Sequence, residues 1–473
     1  MLAYLIEQQG HSLKLSCSDN RELVTNQYDD ALAFLLEPCG EFAVTYNLDA
    51  FVDSLVSIMP KALAAKVKEG GRVFTPENRK LYYQTGRVFG INHIDFYGLN
   101  RYSEEPLTNC QKVLELAEKV VEAYHEIGIK DVTRLTSPVA LYSQVLDSIP
   151  YPRACDLPES AFPMLEACTP IMSREWRQVY QLGRWNAYQI SDYDLTAAYP
   201  AQMAQLPDIS KAHFFSSKTM PDKYSWGVLT GQLKITKPVS PFICKEKGVY
   251  GIGEWPDTIT TEQLRFLRAS SVGDFTMESG EFFLLPKSYG YPFKPTMESL
   301  YNSRESDNPL VSKIAKGIAV GIGGKLAEIY EDRLGDNFNS IYALMTTSRC
   351  MLTVGSFIYN HHIEDDVVSV LVDGFMATGI RLPVVNRKVM GTWKINEPLP
   401  ALVASLEYQW QGNKRPNYKT YDEMIAAIRE HPDRSYFEGV DLNLLSHNRN
   451  FTKLPRTGKE LLENKYRSEP YEV

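Results

Sequence analysis

The sequence has no hydrophobic run that reaches the roughly 18 residues a membrane-spanning helix needs. Its seven cysteines are scattered, odd in number and never spaced as CxxC, which excludes a disulfide framework and a zinc knuckle. The first residues lack the basic segment and the small-residue cleavage site of a signal peptide, so they predict a strand. We therefore expect a protein of a reducing, cytoplasmic setting with no membrane partner.

The sequence also lacks an excess of basic residues. The formal net charge is −8, whereas a nucleic-acid binder with a uniformly basic surface carries a positive charge. This argues against a histone-like protein and leaves room for a locally basic cleft. The length of 473 residues, with 44% hydrophobic and 23% charged residues, is typical of a globular protein of several domains, since single cores stop growing near about 250 residues.

The hydrophobic pattern divides the chain into regions. Residues 1–150 alternate short strand-like runs with helical patterns, the clearest being QKVLELAEKVVEAYHEIG, and predict an α/β domain. The proline-rich stretch that follows is typical of a linker. Beyond it, strand-like runs, a glycine-rich helical segment and an apolar hairpin predict a region of mixed α and β elements.

Two carboxylates each end an apolar run. Asp194, in SDYDLTAAYPAQM, either caps a helix start or is held at a strand end as a metal ligand, and the stretch alone favours the cap. Asp373 follows the apolar run VVSVLV. Because Asp-Gly is the favoured turn of a two-residue hairpin, the pattern alone favours a structural role for Asp373.

A cationic segment lies between these acids. Lys313 and Lys316 are one helical turn apart in SKIAKGIAVGIGGK, and Arg304 precedes them. Two lysines on a helix most often form a solvated face, and the glycines lack the spacing of a phosphate-binding loop. The order acid, basic helix, acid is nevertheless that of a nucleotidyl-transfer site, where strand-end carboxylates hold two metal ions about 3.5–4 Å apart and cations bind the triphosphate.

Three motifs make this interpretation specific. YDLTAAYPAQM resembles motif A of the family B DNA polymerases, in particular of their protein-primed phage and linear-plasmid branch. KGIAVGIGGKL resembles a degraded motif B that keeps Lys316 and carries Gly323 in place of a tyrosine. VLVDGFMATG resembles motif C, with Asp373 as its second acid and Leu371 in place of the first.

The resemblance implies a catalytic centre for nucleotidyl transfer. Asp194 and Asp373 would bind two Mg²⁺ ions, with Mn²⁺ as a substitute, and the backbone carbonyl of Leu195 would be a further ligand. Lys316 and Arg304 would hold the incoming triphosphate.

Further roles come from the same resemblance. Tyr199 would lie under the sugar and exclude a 2′-hydroxyl, and the alternative is a core tyrosine beside a proline. Tyr180, Gly183 and Arg184 of YQLGR, with Arg349 of TTSRCM, would contact the primer-template DNA.

The resemblance also implies a fold. We expect a right-hand polymerase of mixed α/β class with palm, fingers and thumb, and an N-terminal RNase H-like domain of the exonuclease type. The predicted boundaries are 1–150 for the exonuclease-like domain, 151–187 for a linker, 188–205 for the palm with motif A, 206–295 for an insertion and palm, 296–332 for the fingers, 333–390 for the palm with motif C, and 391–473 for the thumb and a C-terminal tail.

The exonuclease-like domain lacks half of its expected ligands. YNLDAFVDSL resembles the second exonuclease motif and keeps Asn47 and Asp49, and the first strand offers Glu7. Leu5 stands where the leading aspartate belongs, and the helix that should carry the last acid offers Lys112. Since a two-metal site needs those acids, we predict a structural domain without exonuclease activity.

The sequence leaves three functions open. The first is a DNA-directed DNA polymerase without proofreading, which extends a DNA or protein primer with dNTPs during viral or plasmid replication in a host cell. The second is a polymerase-fold nucleotidyltransferase with altered use of template or primer, which the glycine-rich motif B favours. The third is a non-catalytic scaffold for nucleic acid, and the retained acids, cations and tyrosine argue against it.

Overall fold

The structure is a computed structural model, and its described residues form two compact units. The units are residues 1–148 with 299–322, and residues 149–298 with 323–473. The structure describes residues 1–36, 42–69, 71–74, 80–84, 88–91, 94–103, 105–129, 138–244, 246, 250–331, 333–379, 382, 384, 389–404, 409–411, 420–433, 436–437, 440–441 and 454–468.

The first unit is built on one mixed sheet. Its strands are β1 (Leu2–Gln9), β2 (Ser12–Cys17), β3 (Glu22–Thr25), β4 (Phe42–Thr45), β5 (Gly71–Phe74), β6 (Lys80–Gln84), β7 (Val88–Ile91) and β8 (Ile94–Gly98). They lie in the order β3-β2-β1-β4-β8-β7-β6-β5. β1 pairs antiparallel with β2 and parallel with β4, and β4 pairs parallel with β8.

Helices pack on this sheet. They are α1 (Tyr28–Leu36), α2 (Leu48–Ser57), α3 (Lys61–Lys68), α4 (Cys110–Glu126) and α5 (Pro138–Asp147), with a 3-10 turn at Asn100–Tyr102. α4 is the helix that the sequence periodicity predicted, and it buries Val113, Val120 and Tyr124 along one face. Phe51 of α2 stacks on Phe96 of β8 with ring centroids 5.5 Å apart. The α/β character predicted for residues 1–150 is therefore observed.

The second unit contains four sheets. Its strands are β9 (Arg177–Val179), β10 (Gln181–Trp185), β11 (Ile190–Leu195), β12 (His213–Ser217), β13 (Trp226–Ile235), β14 (Gly253–Thr260), β15 (Gly273–Leu284), β16 (Val367–Leu371), β17 (Gly374–Thr378), β18 (Trp393–Ile395), β19 (Ala401–Val403), β20 (Gln409–Gln411), β21 (Tyr436–Phe437), β22 (Val440–Asp441) and β23 (Tyr466–Arg467). The sheet orders are β18-β11-β17-β16-β9, β12-β15-β13-β14, β20-β19-β10-β23 and β21-β22. Residues 151–187, predicted as a linker, contribute β9 and β10 to two of these sheets.

The remaining helices follow in chain order. They are α6 (Phe162–Cys168), α7 (Ala198–Met203), α8 (Thr261–Ala269), α9 (Lys294–Arg304), α10 (Pro309–Leu326), α11 (Ser340–Asn360), α12 (Tyr421–Glu430) and α13 (Gly458–Glu463), with 3-10 turns at Ala154–Asp156, Glu159–Ala161 and Glu364–Asp366. The boundary between the two units runs through α9 and α10.

α11 supports the five-stranded sheet of the second unit. Val354 and Ile358 pack in one core with Tyr193 of β11 and Phe375 of β17, whose rings stack with centroids 4.8 Å apart. Among the described helices α11 has the length and composition of a membrane span, but 67% of its most apolar window is buried inside the protein. Such burial is equally typical of a core helix, and here the helix holds β11 and β17 in place.

Candidate active site

Asp194 lies on β11, between β18 and β17. Side chains alternate along this strand, so Tyr193 and Leu195 are buried while Asp192 and Asp194 line a cavity of about 350 Å³. The N-cap of the following helix α7 is Ala197, which has a left-handed φ of 50° and makes no side-chain capping hydrogen bond. Asp194 therefore does not cap α7, and its carboxylate is available at the cavity.

Asp373 lies at the tip of the β16–β17 hairpin. Leu371 pairs with Gly374, so the two loop residues are Val372 and Asp373, and not the Asp373-Gly374 pair that the sequence favoured. Val372 has a φ of 60°, a conformation that a β-branched residue rarely adopts. Strain of this kind costs on the order of 1–3 kcal/mol and is concentrated at functional sites. The tip is therefore not an ordinary Asp-Gly turn, which weakens a purely structural explanation of Asp373.

Gly374 lets the hairpin approach β11 closely. It is the register partner of Asp194, and a Cβ placed on it would lie 2.7 Å from the carbonyl oxygen of Tyr193 and 3.5 Å from the Cα of Asp194. The N–H of Leu195 donates to the carbonyl of Asp373 at 3.0 Å. The structure thus brings the two predicted acids together, with Asp194 on β11 and Asp373 in the loop that leads into β17.

The two carboxylates influence each other electrostatically. Burial, and then the charge of Asp194, raise the pKa of Asp373 to about 6, with a smaller contribution from Glu175. The same three acids act on Cys350 of α11. Burial, and then the charges of Asp373, Glu175 and Asp194, raise the pKa of its thiol. Like charges held together in this way are stabilised by a bound cation.

A lysine that the sequence analysis did not single out neutralises part of this charge. Lys394 is the register partner of Asp194 on β18, and its Nζ lies 2.7 Å from Asp194 Oδ2. The two side chains are 35% and 32% exposed, so we expect the pair to contribute at most about 1 kcal/mol. A divalent ion that bound Asp194 would compete with this pair.

The donor atoms suit Mg²⁺ or Mn²⁺. Both ions prefer oxygen ligands, and Mg²⁺ is commonly held by one or two carboxylates together with substrate phosphates. Asp194 and Asp373 supply carboxylate oxygens, and the backbone of Leu195 lies directly beside both. Among the residues that the structure describes, no group of three or more His, Cys, Asp or Glu side chains is arranged as a metal site. The candidate ligands are the carboxylates of Asp194 and Asp373, and binding of a metal by the Leu195 carbonyl stays a prediction.

Tyr199 lies next to the acid pair, in the first turn of α7. Its hydroxyl donates to Glu175 Oε1 at 3.1 Å, and its ring packs against a small cluster that includes Leu195 and Cys350. Burial, and then the charge of Glu175, raise the pKa of Tyr199, so the hydroxyl stays protonated and remains a donor. A Cβ placed on Gly323 would lie 3.6 Å from Tyr199 Cδ1, at ordinary contact distance. Tyr199 is therefore half-buried and faces the site.

The sequence matches no protein-family model and no curated protein. Solved structures do match. The ternary complex of phi29 DNA polymerase with primer-template DNA and incoming nucleotide superimposes with a TM-score of 0.57 at 12% identity, over 87% of this chain and 86% of that one. The chain has the fold of phi29 DNA polymerase.

Other complexes of phi29 DNA polymerase give the same result. Its binary complex with primer-template DNA superimposes with a TM-score of 0.58 at 11% identity over 88% of each chain, and its complex with single-stranded DNA gives 0.55. The predicted mixed α/β class and right-hand polymerase fold are therefore confirmed. The resemblance inferred from motif A is also confirmed at the level of the fold.

The predicted triphosphate cations belong to the first unit. Arg304 ends α9 and is half-buried, and its carbonyl accepts a hydrogen bond from the Ser312 hydroxyl at 2.7 Å. Lys313 and Lys316 are exposed on α10, as is Val320. The two lysines thus lie on a solvated face, and binding of triphosphate by Lys316 and Arg304 stays a prediction.

Two of the residues predicted to contact DNA, Tyr180 and Gly183, are packed against other parts of the protein. Tyr180 is only 4% exposed, and its hydroxyl accepts a hydrogen bond from Trp176 Nε1 at 3.1 Å. Gly183 has a φ of 138°, and a Cβ there would lie 2.8 Å from the carbonyl oxygen of Asn464. Tyr180 packs in the core, and Gly183 permits a close backbone approach.

The two predicted DNA-contacting arginines are held by protein groups. Arg184 Nε donates to the Tyr421 hydroxyl at 2.8 Å. Arg349 is 3.0 Å from Glu262 and also donates to the carbonyl of Gln205 at 3.3 Å. Contact between these arginines and DNA stays a prediction.

The retained exonuclease residues make local contacts in the first unit. The Asn47 side chain caps α2 by accepting from the N–H of Ala50 at 3.1 Å, and Asp49 accepts a hydrogen bond from the Tyr83 hydroxyl. Glu7 is exposed on β1. The absence of exonuclease activity from this domain stays a prediction.

Sequence reasoning missed two residues of the site. Glu175 precedes β9 inside the stretch that was predicted as a linker, and Lys394 lies on β18 beyond motif C. Lys394 reaches Asp194 through the pairing of β18 with β11, and Glu175 lies just before β9, which pairs with β16 ahead of Asp373. Neither has a local motif, so strand pairing was the only signal that could have found them.

Proposed function

We propose that this chain is a DNA-directed DNA polymerase that adds dNTPs to a primer 3′-hydroxyl by two-metal nucleotidyl transfer. The observation that carries the proposal is the approach of Asp194 and Asp373 across Gly374, in the fold of phi29 DNA polymerase. Two-metal transfer requires carboxylates that share cations, and the raised pKa of Asp373 beside Asp194 is the electrostatic mark of such a pair.

Asp194, Asp373 and the carbonyl of Leu195 would hold two Mg²⁺ ions, for which Mn²⁺ could substitute. Bound ions of this kind activate the 3′-hydroxyl and neutralise the charge that develops on the triphosphate. Asp373 binds a cation in its ionised form, so a proton competes with the metal near and below its pKa of about 6. Lys394, which pairs with Asp194, would compete with a metal for that carboxylate and would supply positive charge beside the triphosphate.

Three further residues bind the nucleotide in this proposal. Tyr199 lies beside the acid pair, where its ring would occupy the space that a 2′-hydroxyl needs and would so select dNTPs. Lys316 and Arg304 supply positive charge to the triphosphate, in line with the motif B resemblance.

The partners are primer-template DNA and dNTPs, the two kinds of ligand present in the phi29 ternary complex. Tyr180, Gly183, Arg184 and Arg349 belong to the proposed primer-template region. A priming protein, and a role in viral or plasmid replication in the cytoplasm of a host cell, are proposed from the motif A resemblance to the protein-primed branch.

One observation favours a second candidate, a nucleotidyltransferase with altered use of template. Gly323 replaces the motif B tyrosine, and within the described residues a Cβ there would meet only Tyr199 within 4 Å. The space beside Tyr199 is therefore open, where a ring would have constrained the nascent base pair. The acid pair is common to both candidates.

Single-nucleotide addition separates the candidates. The purified chain is given Mg²⁺, a labelled primer and one dNTP at a time, on four templates that differ in the first coding base and without template. A template-directed polymerase adds only the complementary dNTP. Addition that ignores the coding base, or that needs no template, supports the second candidate, and absence of addition under all conditions would leave the non-catalytic scaffold.

A further inference from the structure

Glu175 is hydrogen-bonded to Tyr199, the residue proposed to exclude a 2′-hydroxyl. Its Oε1 accepts the hydroxyl of Tyr199 at 3.1 Å, and its charge acts on both Tyr199 and Asp373. The proposed polymerase activity gives Glu175 no role. Its carboxylate nevertheless accepts the hydrogen bond from the Tyr199 hydroxyl, at the end of the ring farthest from the backbone.

The backbone around Glu175 is fixed from two directions. Its own carbonyl accepts the Tyr250 hydroxyl at 3.0 Å. The carbonyl of Trp176, a fully buried residue, accepts the N–H of Val372 at 2.9 Å. Val372 precedes Asp373 at the hairpin tip, so Glu175 and Asp373 are tied to the same piece of backbone. These contacts fix the backbone from which the Glu175 side chain extends, close to the hairpin tip.

The Tyr199 ring has room to move on one side. Its base is packed against Leu195 and Cys350, whereas the side toward Gly323 has no side chain. Rotation about the Tyr199 Cα–Cβ bond would break the hydrogen bond between its hydroxyl and Glu175. The hydrogen bond to Glu175 opposes this movement.

We propose that Glu175 is a positioning residue that fixes the Tyr199 ring and so sets the discrimination between deoxyribonucleotides and ribonucleotides. The inference rests on the proposed polymerase function. Because Glu175 is exposed, its hydrogen bond has the strength of an ordinary one, and its loss lowers discrimination about fivefold without abolishing it.

A carboxylate beside Asp373 can also act as a metal ligand, and one substitution separates the two roles. Glu175→Gln keeps an oxygen that accepts from Tyr199 and removes the negative charge. A positioning residue tolerates this change. A metal ligand does not, because a neutral amide oxygen binds Mg²⁺ much more weakly than a carboxylate.

The test compares the ratio of kcat/KM for a templated dNTP with that for the matching rNTP. In Glu175→Ala and in Tyr199→Phe we expect the ratio to fall about fivefold, and in the double variant we expect no further fall, because both changes remove one hydrogen bond. Glu175→Gln should stay within about twofold of the wild type. Glu166→Ala, which removes an exposed glutamate of α6, is the matched control and should leave the ratio unchanged.

A second measurement is independent of turnover. The dissociation constants of the dNTP and rNTP for the enzyme–DNA complex, measured with Ca²⁺ in place of Mg²⁺, should show the same loss of preference in Glu175→Ala. An unchanged preference in this variant overturns the inference. Equal damage in Glu175→Gln and Glu175→Ala, with weaker binding of Mn²⁺, also overturns it and assigns Glu175 to the metals. A wild type that binds nucleotide with this preference but never extends a primer refutes the proposed function and leaves the role of Glu175 standing.

Discussion

Replacing Gly374 with alanine tests the close approach that joins the two acids. A Cβ at this position would lie 2.7 Å from the carbonyl oxygen of Tyr193, whereas ordinary contact begins at 3.4 Å, so the hairpin must move away from β11 by about 0.7 Å. Overpacking of this size costs about 1–3 kcal/mol of folding free energy. Asp373 moves with the hairpin, because it immediately precedes Gly374.

The expected effect on activity is larger than the effect on stability. A misplacement of about 1 Å in a catalytic constellation can cost about 10²-fold in rate, so we expect Gly374→Ala to lower single-turnover incorporation by about 10- to 100-fold. Mn²⁺, which accepts less regular geometry than Mg²⁺, should restore part of the loss.

The assay is incorporation of one templated dNTP under single-turnover conditions, with the melting temperature measured in parallel. Gly290→Ala is the matched control, because a Cβ there meets nothing within 4 Å among the described residues. A Gly374→Ala variant that folds and incorporates within about twofold of the wild-type rate would show that the reasoning from the close approach is wrong.

Three further predictions concern charge and metal binding. Binding of Mn²⁺, measured by electron paramagnetic resonance, should weaken about tenfold per pH unit below about pH 6, because a proton competes for Asp373, whose pKa is raised. A wild-type midpoint near the ordinary value of 3.8 would contradict the electrostatics. Lys394→Gln should strengthen Mn²⁺ binding by up to about fivefold at neutral pH, because it removes a cation that competes for Asp194, whereas Lys394→Arg should have little effect. The wild type should show no metal-dependent 3′ to 5′ degradation of single-stranded DNA, and Asp49→Ala should not change this; degradation that Asp49→Ala abolishes would refute the structural role of the first unit.

Much of the fold followed from local patterns. The amphipathic period of α4 and the apolar strands that lead to Asp194 and Asp373 are visible in the sequence, because helices and buried strands impose periods of 3.6 and 2 on their side chains. Motif A added the polymerase fold, which the structural comparison supports. The pattern of residues 151–187 predicted a linker and did not reveal β9 and β10, because these are short strands whose pairing partners lie far along the chain.

The site was only partly predictable for the same reason. The sequence indicated a turn through Asp373-Gly374, but close packing of Gly374 on β11 places Gly374 in the strand and puts the strained φ on Val372. Lys394 and Glu175 reach the acids through non-local strand pairs, and no spacing rule links them to Asp194. The motif resemblance identified the two acids, and no comparable signal identified their electrostatic partners.

The most direct test of the central claim is templated single-nucleotide incorporation by Asp194→Asn and Asp373→Asn. These substitutions keep the size of each side chain and remove the anionic metal ligand. We expect each to lower the incorporation rate by on the order of 10³-fold or more while the melting temperature and binding of primer-template DNA are maintained. Asp222→Asn, at an exposed loop position, should leave the rate unchanged. Incorporation by either active-site variant at the wild-type rate would contradict the claim that this acid pair is the catalytic centre.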